Sequence, residues 1–154
     1  MKKILFVSDA FAEDYIGGAE LTTEALIESG NKANITVKKI RCKEVKKEHV
    51  QEMQDVHWVI CNFFSLSDDI KLEIAKSVSY SIIEYDYKFC IYRSPEKHLN
   101  LEGKECDCTS RESEKINLVF YGYAQKIWFM SQTQREIFIE NVRTIKKENT
   151  SVLS

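Results

Sequence analysis

The sequence predicts an α/β domain with a Rossmann-like, doubly wound open parallel sheet held between helical layers. Three observations carry this: short apolar runs recur along the chain, segments of helical spacing separate them, and the first run leads through a glycine loop into a helix. Parallel neighbours need long crossovers, which the intervening helices supply.

The first run, Ile4-Leu5-Phe6-Val7, suits a strand buried on both faces. Ser8-Asp9-Ala10 and a loop lead to Gly17-Gly18-Ala19-Glu20 and a helix over Leu21 to Ser29. Adjacent glycines allow close backbone approach, and the helix they open offers free N–H groups and a positive dipole end to a phosphate. Asn31 to Asn34 make a polar turn before a second strand, Ile35 to Ile40. Lys43 to Gln54 is at best a charged, weakly amphipathic helix. Val56 to Cys61 is the third strand, ending in Asn62-Phe63-Phe64.

Ser67 caps the next helix, with Asp68 and Asp69 in its first turn and Ile70, Ile74, Ala75 and Val78 as its apolar stripe. Ser81 to Tyr85 is a fourth strand. Phe89 to about Arg111 reads as an irregular, mobile insertion containing the only proline, Pro95. Helical spacing resumes with Ile116, Val119, Phe120, Tyr123 and Ala124, and Lys126 to Met130 is a fifth strand. Ser131 and Gln134 match a capping box ahead of Ile137, Phe138 and Val142. Ligands of such sheets bind beyond the carboxyl ends of the strands, which selects the loops after residues 8, 61, 86 and 130.

The 154 residues, 44% hydrophobic, suffice for one domain, and no internal repeat or boundary divides it. Lysine and arginine number 22 against 24 acids, so a net charge of -2 gives no electrostatic reason to expect nucleic acid. No apolar run approaches the roughly 20 residues needed to span a bilayer. The chain reads as cytoplasmic, and its five cysteines as thiols before a disulfide framework.

Competing glycine loops fail on the residues. A dinucleotide fingerprint needs G-x-G-x-x-G and an acid after the second strand, where this chain has Arg41-Cys42-Lys43. A Walker loop needs Gly-Lys-Ser/Thr, and Ala19-Glu20 follow Gly18.

Lys3 to Ser8 followed by Gly17-Gly18-Ala19-Glu20 resembles the opening of the N-terminal domain of retaining, nucleotide-sugar-dependent glycosyltransferases of the two-domain GT-B fold, the family 4-like type. The resemblance runs on through Asn62, Glu84 to Tyr87 and Ile127 to Ser131. It implies that residues 1–154 are the acceptor-side domain, that Gly17 and Gly18 approach the donor diphosphate or sugar, and that Asn62 and Asp86 lie on the acceptor side. A second, nucleotide-sugar-binding domain would follow in cis, and without it the isolated chain is expected to be inactive. The family often has His-Asp at the fourth strand end. Here Tyr85 replaces the histidine, which leaves Tyr85 and Asp86 as the candidate catalytic positions.

Cys90, His98, Cys106 and Cys108 have the right ligand types for zinc. Their spacing departs from Cys-x-x-Cys, so exposed thiols or an occasional disulfide are preferred, and neither zinc nor another cofactor is expected. No elbow offers a nucleophile to His49 or His57. Trp58 and Trp128 read as core residues. The reading from another class is a free-standing, non-catalytic α/β module that binds a sugar or nucleotide.

Overall fold

The computed structural model describes residues 2–153. Its strands are β1 (Lys3–Ser8), β2 (Thr36–Arg41), β3 (His57–Ile60), β4 (Tyr80–Glu84), β5 (Lys126–Phe129) and β6 (Thr150–Val152). The helices are α1 (Gly18–Lys32), α2 (Lys47–Glu52), α3 (Asp68–Ser77), α4 (Pro95–Glu102), α5 (Lys115–Tyr123) and α6 (Gln132–Asn141). All strand pairs are parallel, in the order β2-β1-β3-β4-β5-β6. The Rossmann-like three-layer architecture is therefore the fold of this chain.

Strand alternation assigns the core. Leu5, Val7, Trp58, Ile60, Ile82, Ile127 and Phe129 face one side, where they meet Val50 of α2, Ile70 and Ile74 of α3, Leu118 and Tyr121 of α5 and Phe138 of α6. Phe6, Ile83 and the partly buried Ile4, Val59 and Trp128 face the other, where α1 contributes Ile27. The asymmetry follows from chain direction. Only the β1-to-β2 connection moves toward one sheet edge, so right-handed crossovers place α1 on one face and the later helices on the other. Beside α1 remains an apolar groove of 440 Å³, bordered by Leu26, Val37, Val59, Ile83 and Trp128.

The local readings need three corrections. The stretch Lys43 to Gln54 is a 3-10 turn over Cys42–Glu44 followed by the short α2, because only Val50 of α2 reaches the core. The stretch Phe89 to Arg111 contains α4. Ser94 caps it by accepting from Lys97 N at 3.2 Å, Pro95 opens it, and Gly103 closes it at φ 70, the left-handed conformation glycine adopts without strain. The buried face of α5 is rotated from the expected stripe: Leu118, Phe120 and Tyr121 are inside, whereas Tyr123 is 69% exposed. The rotation brings the Tyr121 hydroxyl to Glu84.

At the carboxyl ends of the strands the loops are joined directly. Asp9 N donates to Asn62 O at 2.8 Å, while the Asp9 carboxylate accepts from Phe64 N and Ser65 N. Gln134 Nε2 donates to the carbonyls of Glu84 and Asp86, and its Oε1 accepts from Met130 N. The first three contacts join the ends of β1 and β3, and the other three join the ends of β4 and β5.

Candidate functional site

Strand order reverses between β1 and β3, and a crevice at such a point is where open α/β sheets bind ligands. Gly17 caps α1 with extended backbone and Gly18 is its first residue. A side-chain carbon built on Gly18 would meet nothing within 4 Å, so its backbone is open to approach. Gly17 is closed in: its added carbon would stand 2.6 Å from Glu20 Oε2 and 2.8 Å from Tyr15 Cε1. The Glu20 carboxylate thus already lies against the first turn of α1, complementing the dipole that a ligand anion would use.

At the ends of β3 and β4, Asn62 and Asp86 are brought together by a residue the sequence reading did not select. Arg93 Nη2 lies 3.5 Å from Asn62 Oδ1 and forms an ion pair with Asp86 Oδ2. Arg93 holds φ 56, in the left-handed region that costs a non-glycine residue roughly 1 kcal/mol. Asp86 Oδ1 also faces Lys88 Nζ at 3.0 Å, outside hydrogen-bonding geometry. Burial pushes the Asp86 carboxyl up, but Lys88, the Glu84 contact and Arg93 outweigh it and hold the group below its ordinary range.

Beneath this pair lies Glu84, fully buried at the end of β4. Lys88 Nζ forms a close ion pair with its Oε1, and the Tyr121 hydroxyl donates to Oε2 at 2.5 Å. Burial pushes the Glu84 carboxyl up to about 7 despite Lys88 and Tyr121, with neighbouring Asp86 adding to the rise. A carboxyl and an ammonium in contact here anchor the loop that presents Asp86 and Arg93.

Beside them opens a cleft of 270 Å³ over Phe63 and Phe64, with Lys71, Lys88 and Arg93 against Glu114 in its walls. Lys71 donates to Asn117 Oδ1 at 2.8 Å, and burial lowers the pKa of its ammonium. Each of these cations is paired with a carboxylate, Lys71 with Asp68, Lys88 with Glu84 and Arg93 with Asp86, so an anionic ligand would compete with those partners. Lys71 was hidden in the sequence, since a lysine on a helix carries no spacing signal.

Tyr85 points elsewhere. Its ring joins the cluster under α1 and its hydroxyl lies 2.8 Å from Thr23 Oγ1, so it ties β4 to α1. Burial raises its pKa above the ordinary phenol value. Trp58 is wholly buried with Nε1 donating to Met53 O, and Trp128 is partly buried. His57 bridges Ser79 and Ser81, and His49 accepts from Lys46 N. Cys61 is buried, which pushes its thiol up to about 12.

Cys90, His98, Cys106 and Cys108 converge, although their spacing gave little reason to expect it. Their ligand atoms all lie within 4.8 Å of one another. Cys90, His98 and Cys108 are buried and Cys106 is partly so, and all five cysteines are free, in place of exposed thiols or a disulfide. These four residues could hold a metal ion.

Among the described residues no helix is long and apolar enough to cross a membrane. Neither a protein-family model nor a curated protein sequence matches the chain.

Proposed function

We propose that this chain is the acceptor-side, N-terminal half of a nucleotide-sugar-dependent glycosyltransferase, which transfers a sugar to an acceptor only together with a second, nucleotide-binding domain. The observation that carries this reading is the grouping at one sheet edge of the open Gly18 backbone at the β1/β3 reversal with the Asn62–Arg93–Asp86 constellation. Supporting it is the cleft beside that constellation, where Lys71, Lys88 and Arg93 offer donors to a polar ligand. In this reading Asp86 orients an acceptor hydroxyl, Arg93 fixes Asp86, and Gly18 lets the transferred sugar or diphosphate come close to the backbone.

Transfer between two domains gains much of its acceleration from positioning and electrostatic stabilisation, and one wall supplies neither in full. Residues 1–154 alone should therefore bind nucleotide sugars weakly and transfer nothing. In a protein that also carries the second domain, Gly18→Val should lower turnover with little change in folding, because the side chain enters open space. The test assays both proteins with a panel of nucleotide sugars and acceptors. Robust transfer by residues 1–154 alone would overturn the half-enzyme reading, and a reading frame that stops at Ser154 would favour the free-standing, non-catalytic binding module. Unchanged kinetics in the Gly18 variant would remove the glycine loop from the site.

A further inference from the structure

We propose that Cys90, His98, Cys106 and Cys108 form a structural zinc(II) site. A tetrahedral zinc bound by three thiolates and one imidazole sets its sulfurs about 3.8 Å apart and the nitrogen about 3.6 Å from each sulfur. His98 Nδ1 lies 3.7 Å from Cys90 Sγ and 3.6 Å from Cys108 Sγ. These two distances match the nitrogen–sulfur edges of that tetrahedron.

The separations also select the metal. All four ligand atoms fall within 4.8 Å of one another, which suits a single ion, because the thiolates of a multi-iron cluster bind different irons and stand farther apart. Three soft thiolates with one imidazole favour zinc over magnesium or calcium, which take oxygen ligands. Four protein ligands complete the coordination and leave no position for substrate, so the role is structural.

The second nitrogen of His98 agrees. Binding through Nδ1 places the proton on Nε2, which is buried and has no hydrogen-bond partner, with Asp107 Oδ1 4.0 Å away. A metal-bound imidazole commonly donates this proton to a carboxylate, and Asp107 would have to approach by about 1 Å to accept it. Asp107 is itself held by Arg111 at 3.2 Å.

Such a site explains how the loop after β4 is organised. Its ligands come from the loop itself, the middle of α4 and the turn beyond Gly103; Cys90 and Cys108 sit at the margin of the main core, and the ion would tie to them α4, whose buried residue is His98. Arg93 lies between two ligands, and its backbone N donates to Cys90 O at 2.9 Å. The ion would therefore fix the segment presenting Arg93 to Asp86. The assignment stands on the ligand geometry and does not depend on the glycosyltransferase reading.

The test uses the full chain, reduced, supplied with zinc chloride and desalted without chelator, with metal measured by elemental analysis. About one zinc per chain is expected. Zinc should protect Cys90, Cys106 and Cys108 from alkylation and slow hydrogen exchange over residues 89–111, both reversed by chelation. Cobalt(II) in its place should give the visible bands of a tetrahedral, thiolate-rich site. Cys106→Ser and Cys108→Ser should each weaken binding at least tenfold, whereas His98→Cys should retain stoichiometric metal as a four-thiolate site. Folded, reduced protein that carries no zinc after desalting would overturn the proposal. So would zinc retained unchanged in the Cys106→Ser/Cys108→Ser double variant, or protein whose three thiols stay equally reactive with zinc present.

Discussion

Glu84 shows how one residue couples the sheet to the site. It ends β4 with no exposure to water, and it meets Lys88 and Tyr121 directly. Its folded pKa, about 7, lies above its ordinary value of 4.5, so between these values the folded state binds more protons than the unfolded. Stability contributed at this position is thus present below pH 4.5 and lost as pH rises toward 7. Relative to Glu84→Gln, the parent should lose about 3 kcal/mol across that window, measured by urea unfolding at a series of pH values. A difference between the two proteins that stays flat with pH would refute it. Asp86, with its pKa lowered, has the opposite sign: its contribution is present above the ordinary aspartate value and is lost as pH falls through the folded one.

Among the elements, α6 carries the clearest division between a cap and a connection. Ser131 Oγ accepts from Gln134 N at 3.1 Å, the expected half of a capping box. Gln134 does not return the bond to Ser131. Its amide reaches across to Met130 N and to the Glu84 and Asp86 carbonyls, so it joins the ends of β4 and β5. Ser131→Ala should cost about 1 kcal/mol as a lost cap. Gln134→Ala should cost more, about 2 to 3 kcal/mol, since it leaves buried backbone groups unpaired. Chemical denaturation of the two variants checks the order, and equal losses would mean that Gln134 acts only as a cap.

The whole molecule is built unevenly about its sheet. Four helices cover the face of Leu5, Trp58 and Phe129, whereas the opposite face has α1, whose fully buried side chains are Thr23 and Ile27. Opening α1 therefore exposes little of the main core and should require less free energy than opening β3 or β4. Native-state hydrogen exchange should show the amides of α1 exchanging through a sub-global opening while β3 and β4 exchange only with global unfolding. Identical opening free energies for α1 and the central strands would contradict this. The groove beside α1 follows from the same asymmetry, because the later crossovers all pack on the other face.

The sequence by itself determined the α/β class and the five strands from Ile4 to Met130, because buried runs, helical spacing and caps are local signals. Ser67 and Ser131 were legible as caps for that reason, and Asn62 and Asp86 as strand-end positions. The tertiary structure decided what long-range contact controls. It bound Arg93 to Asn62 and Asp86, turned Tyr85 toward Thr23, and rotated α5 so that Tyr121 meets Glu84. It also gathered Cys90, His98, Cys106 and Cys108 into one set. Their irregular spacing concealed this, since ligand geometry depends on where a loop and a helix bring four side chains in space, and no periodicity along the chain records it.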